Sequence, residues 1–174
     1  MEKKNNSADK SSNYISGNDI IKVIGFGNII MGDDGVGVRV IEKLKEEKEL
    51  RRLDNVELID GGTSGVDIIF ILKDAARAII IDAVDAGQKK AEIVKFSPDD
   101  IKKIGLKKKG FKSFSLHDID LNEVFELMKT LKLNVKVKII GIKPLNVGYS
   151  EQLSPEIEEK LPQLVDIVKK EVLN

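Results

Sequence analysis

Cysteine is absent from the 174 residues of this chain. Its absence excludes disulfides, thiolate catalysis, cysteine-based zinc sites and iron–sulfur ligation together. Histidine occurs once, as His117, so any chemistry that needs an imidazole must use this residue. No HExxH or other paired-histidine spacing exists, which excludes the zinc metalloproteases that depend on that motif.

The chain also lacks a net charge and a long apolar run. Its 29 Lys and Arg residues balance its 29 Asp and Glu residues, which argues against a protein built to bind the phosphate backbone of nucleic acids. No run of 18 apolar residues occurs, so we expect no membrane insertion. Residues 1–18 carry neither an apolar core segment nor a twin arginine, so we expect a cytoplasmic protein rather than a secreted one.

The first 18 residues differ in composition from the rest of the chain. Their only sizeable or apolar groups are Met1, Ala8, Tyr14 and Ile15. Such a segment cannot bury enough surface to offset its ordering entropy, so we predict a disordered N-terminal tail over 1–18. The remaining 19–174 have the length of one domain and show no internal repeat.

From residue 19 onward, short β-branched runs alternate with amphipathic segments. Strand–helix alternation of this kind predicts a mainly parallel, roughly five-stranded twisted sheet in a three-layer α/β/α sandwich. The third run, Ala78-Ile79-Ile80-Ile81-Asp82, is the most apolar and is predicted to be central. The fourth follows it closely enough for an antiparallel pair with it. The predicted strands are 20–25, 56–60, 78–82, 91–96 and 135–141.

The predicted helices follow from apolar residues at helical spacing. The first opens at Asp33-Asp34-Gly35, and the last opens at Ser154-Pro155-Glu156, where serine is the cap and proline the first helical residue. Between them, a basic loop over 105–116 precedes a helix over about 120–131. The inward residues predicted for the first two helices are Val36, Val40, Ile41 and Leu44, then Val66, Ile69, Phe70 and Leu72.

Acidic residues collect where the predicted strands end. Asp60 and Asp82 end the second and third strands, and Asp33 and Asp34 follow the loop after the first. Each one alone is most simply a cap of the following turn or helix. Together they would repel one another at one sheet edge, and a divalent cation is the usual compensation. A histidine is more often a surface or capping group, but carboxylates with one imidazole suit nickel, zinc, manganese or iron.

Two other chemistries have partial support in the sequence. The turn Gly25-Phe26-Gly27 invites a dinucleotide-binding interpretation, and Asp60 stands where a ribose-binding acid would lie. The GxGxxG fingerprint fails, however, because Ile30 occupies the third glycine position. Serine catalysis is weaker still, since the segment 62–65 does not fit GxSxG and His117 would be the only base.

The segment 25–37, GFGNIIMGDDGVG, resembles the opening motif of the nickel–iron hydrogenase maturation endopeptidases. Further resemblances to this family follow in the same order along about 20–170. They are the DGGT turn at 60–63, the strand-end Asp82, the histidine segment Ser115-Leu116-His117, and the blocks Gly141-Ile142-Lys143-Pro144 and Leu153-Ser154-Pro155.

The resemblance implies a protease that removes the C-terminal extension of a hydrogenase large-subunit precursor after nickel insertion. The nickel carried by that substrate would be recognised by Asp34, Asp82 and His117, which would be the metal ligands and the catalytic residues. Many relatives carry Glu at the position of Asp34, which also supplies a carboxylate. Other divalent ions can occupy such a site, and a monomer is expected. The alternatives are a nucleotide-binding Rossmann-like protein and a non-catalytic, metal-dependent binding module.

Overall fold

A computed structural model of the chain describes residues 20–63, 67–103, 112–113 and 121–174. The predicted tail 1–18, His117 and most of the predicted basic loop lie outside the described residues. The strands are β1 (Ile21–Phe26), β2 (Val56–Gly62), β3 (Arg77–Asp85), β4 (Ile93–Phe96), β5 (Lys112–Ser113) and β6 (Lys136–Ile142). The helices are α1 (Val36–Glu46), α2 (Ile68–Leu72), α3 (Pro98–Lys103), α4 (Leu121–Thr130), α5 (Pro155–Glu158) and α6 (Leu161–Leu173).

Five strands form the main sheet in the order β2-β1-β3-β6-β4. The first four of these run parallel to one another, and β4 runs antiparallel to β6. β3 is central, as its composition predicts, and its residues from Ala78 to Val84 are buried. A strand covered on both faces must be apolar along nearly its whole length, which is why a continuous run rather than an alternating one marks the middle of the sheet.

The fourth strand does not pair with the third, so that prediction was wrong. β3 pairs with β1 along one edge and with β6 along the other, and the two-residue β5 pairs with its last residues, 84–85. Both edges of β3 are therefore occupied. β4 pairs instead with the remaining edge of β6, from Ile93 opposite Ile142 to Phe96 opposite Ile139.

Helices cover both faces of the sheet, which confirms the three-layer α/β/α architecture. α1 and α6 pack on one face, and α2 and α4 pack on the other. The four predicted inward residues of α1 are all buried. In α2, Leu72 is buried and Ile69 half-buried, but Phe70 is exposed because it lies almost opposite the buried Ile68 and Leu72. Val66 lies outside the described residues. No helix in the described part is long and apolar enough to cross a membrane.

The C-terminal segment predicted as one helix consists of two, α5 and α6. Pro162 lacks the N–H that would bond to the carbonyl of Glu158, so the first helix ends before the second begins. Ser154 stands at the cap position of α5 as predicted, but its side chain makes no capping bond. Its hydroxyl donates to Asp33 instead, at 2.9 Å.

Two glycines let α1 lie directly against the sheet. A Cβ at Gly37 would come closer than 3.0 Å to the carbonyl oxygens of Phe26 in β1 and Ile81 in β3. A Cβ at Gly25 would overlap the carbonyl of Gly37 in the same way. The first turn of α1 therefore rests on the backbones of two neighbouring strands. This contact fixes the position of the residues just before α1, which include Asp33 and Asp34.

Candidate active site

The carboxyl ends of β1, β2, β3 and β6 meet at one edge of the sheet because these strands are parallel. The register places Gly25 of β1 beside Asp60 of β2 and Ile81 of β3. Asp82 comes one residue later and lies beside Gly141 of β6. In sheets of this kind, binding and catalytic sites form beyond the carboxyl ends of the strands.

Asp34 lies in a 3₁₀ turn, Gly32–Gly35, that connects β1 to α1. Its side chain is 5% exposed, and its Oδ2 accepts a hydrogen bond from the backbone N–H of Asn28 at 2.9 Å. The turn contacts β3 as well as α1. A Cβ at Gly27 would overlap the carbonyl of Asp34, so this glycine permits the close approach of the turn to the end of β1. Asp34 is thus held in place from both sides.

Asp82 is a carboxylate inside the central strand of the sheet. It is 1% exposed, and β3 extends three residues beyond it, to Asp85. The sequence pattern placed it at the end of a strand, and the structure places it just before the end. Burying an ionised carboxylate is costly unless hydrogen bonds, a cation or a proton compensate its charge. Asp34 and Asp82 are both buried carboxylates, and the turn that carries Asp34 contacts the strand that carries Asp82.

Asp33 is buried like its neighbour Asp34, but its carboxylate serves the fold. Its two oxygens accept the backbone N–H groups of Leu145 at 2.8 Å, Asn146 at 2.9 Å and Ser154 at 2.6 Å, and the Ser154 hydroxyl at 2.9 Å. All four donors belong to the loop over 143–154, called here the C-terminal loop. The carboxylate of Asp33 is therefore a structural anchor for that loop.

Asp60 lies on the opposite face of the sheet from Asp82. Residues paired across parallel strands share a face, so Asp60 shares one with Ile81, and Asp82 points to the other. The packing agrees, since Ile81 contacts the α1–α6 layer whereas Ile80 packs in the α2–α4 layer. Asp60 is also exposed, and it accepts the N–H of Gly62 at 2.9 Å in a local turn. The simple turn-forming interpretation therefore holds for this residue.

The structure separates the four acids that the sequence pattern treated as equals. Asp34 and Asp82 are buried on touching elements, Asp33 anchors a loop, and Asp60 closes a turn. Across 20–63, 67–103, 112–113 and 121–174, no three His, Cys, Asp or Glu side chains converge as a metal site would require. The third predicted ligand, His117, lies outside these ranges, so its place relative to the two acids stays a prediction.

Comparison with known proteins identifies the family. The family model described as hydrogenase maturation protease, HycI, matches residues 38–171. The chain belongs to the hydrogenase maturation protease family. Asp82 and His117 lie within the matched range, and Asp34 precedes it by four residues.

Relatives and solved structures agree with this assignment. The chain is 30% identical over 149 residues to the hydrogenase expression/formation protein HupD of Bradyrhizobium diazoefficiens, covering 84% of this chain and 74% of that protein. It is 32% identical over 148 residues to HupD of Rhizobium leguminosarum bv. viciae, covering 84% and 70%.

Two solved maturation proteases share the fold. The hydrogenase maturating endopeptidase HybD from E. coli superposes with a TM-score of 0.73 at 25% identity, over 86% of this chain and 89% of that one. The maturation protease HycI from Thermococcus kodakarensis KOD1 gives 0.68 at 25% identity, over 90% and 94%. These matches support an endopeptidase and give no support to the nucleotide-binding or non-catalytic alternatives.

Residue patterns alone missed the anchor that organises the site of this maturation protease. The family resemblance includes the block Leu153-Ser154-Pro155 but does not indicate what this block does. In the structure, Ser154 donates two hydrogen bonds to Asp33. The only available signal was indirect. Two adjacent aspartates, Asp33 and Asp34, precede α1. If either is buried, its carboxylate needs hydrogen-bond donors from elsewhere in the chain to offset the cost of its desolvation.

Proposed function

We propose that this maturation protease removes the C-terminal extension of a nickel–iron hydrogenase large-subunit precursor after nickel has been inserted. Asp34, Asp82 and His117 would bind the nickel that the precursor carries. The observation that carries the proposal is the burial of Asp34 and Asp82 on touching elements at the carboxyl edge of the sheet. The family assignment supports the reaction class.

The donor set suits this task. Two carboxylate oxygens and one imidazole nitrogen match a borderline divalent ion, and three protein ligands leave positions open for groups of the substrate. The metal, when bound, supplies polarisation of the scissile carbonyl or activation of a water. A protein without cysteine needs such a source of reactivity, and cleavage would then depend on the nickel content of the precursor.

The protein's own residues have separate duties in this scheme. Asp34 and Asp82 orient the precursor through its metal, and burial keeps competing water away from their carboxylates. Asn28 holds Asp34 through a backbone N–H, and Asp33 fixes the C-terminal loop beside the turn that carries Asp34. Both contacts limit the freedom of the turn before the substrate arrives, which reduces the ordering cost of binding.

Processing of a nickel-loaded precursor tests the proposal. Asp34→Asn, Asp82→Asn and His117→Ala should each slow cleavage by at least about 100-fold, because loss of a direct ligand should exceed the 10–100-fold effect typical of groups that only support a ligand. Asp60→Asn is the matched control, since this acid lies at the same sheet edge on the opposite face, and it should process normally. Precursor and mature subunit differ in gel mobility, so one gel reads all five proteins.

Two further measurements sharpen the outcome. Nickel-free precursor should remain uncleaved by the wild-type protein. Calorimetry with nickel alone should show weaker binding by Asp82→Asn than by Asp60→Asn. Normal processing by Asp82→Asn, or equal loss in Asp60→Asn and Asp82→Asn, would remove the two-acid site from the mechanism.

A further inference from the structure

Seven large apolar side chains are exposed in the described part of the chain, and three of them border the site. Ile29 is 42% exposed, Ile30 44% and Tyr149 78%. They lie on the loop that leaves β1 and on the C-terminal loop that follows β6, and we call these three residues the apolar rim. Of the other four, Phe70, Leu127 and Leu173 are on helices, and Leu131 directly follows α4.

The two loops of the apolar rim are bonded to each other. The N–H of Ser150 donates to the carbonyl of Ile30 at 3.0 Å, and the N–H of Gly32 donates to the carbonyl of Ser150 at 2.7 Å. Met31 and Ser150 form a parallel bridge between these bonds. Tyr149 therefore lies next to a residue that is bonded to Ile30, and the three apolar side chains stand on a backbone that is already fixed.

The apolar rim is continuous with the candidate active site. Asn28, whose N–H binds the carboxylate of Asp34, comes directly before Ile29 and Ile30. On the other loop, Asn146 lies three residues before Tyr149. Its carbonyl accepts the backbone N–H of Asp33, and its own N–H donates to the carboxylate of Asp33. Ile29 also lies close to the turn that carries Asp34, since a Cβ at Gly35 would come within 3.0 Å of the Cα of Ile29. The apolar rim is therefore next to that turn.

We propose that the apolar rim docks a nonpolar segment of the hydrogenase precursor adjacent to the scissile bond. The inference rests on the proposed function above, and it adds the chemistry of the segment that is recognised. Exposed apolar side chains on an ordered surface bind a matching partner with little loss of conformational entropy. Aromatic residues such as Tyr149 are also enriched among those that dominate interface energies. The stretches 28–32 and 145–150, which carry the apolar rim, contain no charged residue, and this favours a nonpolar partner over an acidic or basic one.

The test is the precursor concentration dependence of processing by the full chain. Ile30→Ser with Tyr149→Ser should raise KM for the nickel-loaded precursor about tenfold or more while kcat stays within about twofold, since the change removes apolar contact area and leaves the acids in place. Ile30→Leu with Tyr149→Phe keeps the apolar area and should retain the wild-type KM.

The matched control comes from the opposite edge of the sheet. Leu173 is 55% exposed, and α6 ends there beside Arg77, the first residue of β3, whose guanidinium donates to the carbonyls of Glu171 and Val172. Leu173→Ser removes an apolar side chain whose exposure lies between those of Ile30 and Tyr149, far from the acids, so its KM should equal that of the wild type. If the double variant does not fold, Tyr149→Ser alone serves, because its side chain is mostly in solvent.

The outcomes separate the two proposals. Wild-type protein that fails to process the precursor contradicts the proposed function. Normal wild-type processing with an unchanged KM in the double variant and in Tyr149→Ser overturns the docking role. A second copy of the chain is the competing occupant of the apolar rim. Loss of a dimer on size-exclusion chromatography in the double variant, with KM unchanged, would assign the surface to self-association and likewise overturn the proposal.

Discussion

Replacement of Asp33 by alanine tests whether this carboxylate anchors the C-terminal loop. The change removes the acceptor of four hydrogen bonds, with donor–acceptor distances of 2.6 to 2.9 Å, from a side chain that is 1% exposed. Hydrogen bonds to charged groups contribute about 1.5–3 kcal/mol each, so four would total about 6–12 kcal/mol if they were additive.

The expected loss is smaller than that sum. Asn146 is exposed, and Leu145 and Ser154 are only half-buried, so water can replace the carboxylate at several of the donors. We expect Asp33→Ala to lower the free energy of unfolding by about 3–5 kcal/mol. For a domain of this size each kcal/mol corresponds to about 2–4 °C, so the melting temperature should fall by roughly 10 °C. Domains are typically stable by about 5–15 kcal/mol, so the variant should still fold.

Urea unfolding followed by circular dichroism measures this loss. Asp60→Ala is the control, because Asp60 is exposed and makes one local hydrogen bond, and it should change stability by less than about 1 kcal/mol. Hydrogen exchange should accelerate at the amides of Leu145 and Ser154 in Asp33→Ala. Equal losses of stability in Asp33→Ala and Asp60→Ala would show that the carboxylate of Asp33 does not anchor the C-terminal loop.

Two other predictions follow from packing and charge. Gly37→Ala should destabilise the fold by more than about 3 kcal/mol, since its Cβ would overlap the backbone of two strands. Gly148→Ala is the control, and it should cost less than about 1 kcal/mol because its Cβ would meet only the end of a side chain. Thermal melting compares the two variants. Glu171 has a lowered pKa, chiefly through its hydrogen bond to Lys138 and then that to Lys95, so its stabilising contribution is present above its unfolded pKa near 4.5 and is lost as pH falls through its lower folded value. Urea unfolding should therefore show wild type more stable than Glu171→Gln at pH 7 by about 1 kcal/mol, and this difference should shrink as the pH falls below the unfolded pKa and through the lower folded one. A difference that does not depend on pH would contradict this.

Most of the fold follows from local sequence. Apolar runs of strand length and the helical spacing of Val36, Val40, Ile41 and Leu44 specify which segments form elements, and the composition of β3 specifies its central place. The partner of β4 did not follow, because it depends on which strand edges the rest of the chain has already occupied. Phe70 was misplaced because α2 is too short for its spacing to define an inward face.

The candidate site was predicted only in outline. Parallel strands bring Asp34, Asp60 and Asp82 to the same edge of the sheet, whichever residues pair across the strands. Their shared edge could therefore be inferred from the order of strands and helices alone. Which face each acid points to depends on the register between β1, β2 and β3, which no local pattern encodes. The distinction between Asp33 and Asp34 depends on the C-terminal loop, more than 100 residues away in sequence.

That separation has a consequence for the order in which the site is made. The groups that bind Asp33 lie 112 to 121 residues downstream of it. At ribosomal rates of about 5–20 residues per second, they emerge roughly 6–24 seconds after Asp33 does. During synthesis the turn that carries Asp34 therefore has no C-terminal loop to hold it. A nascent chain that already contains both Asp34 and Asp82 would therefore lack a fixed site until the C-terminal loop has been synthesised and has bound Asp33.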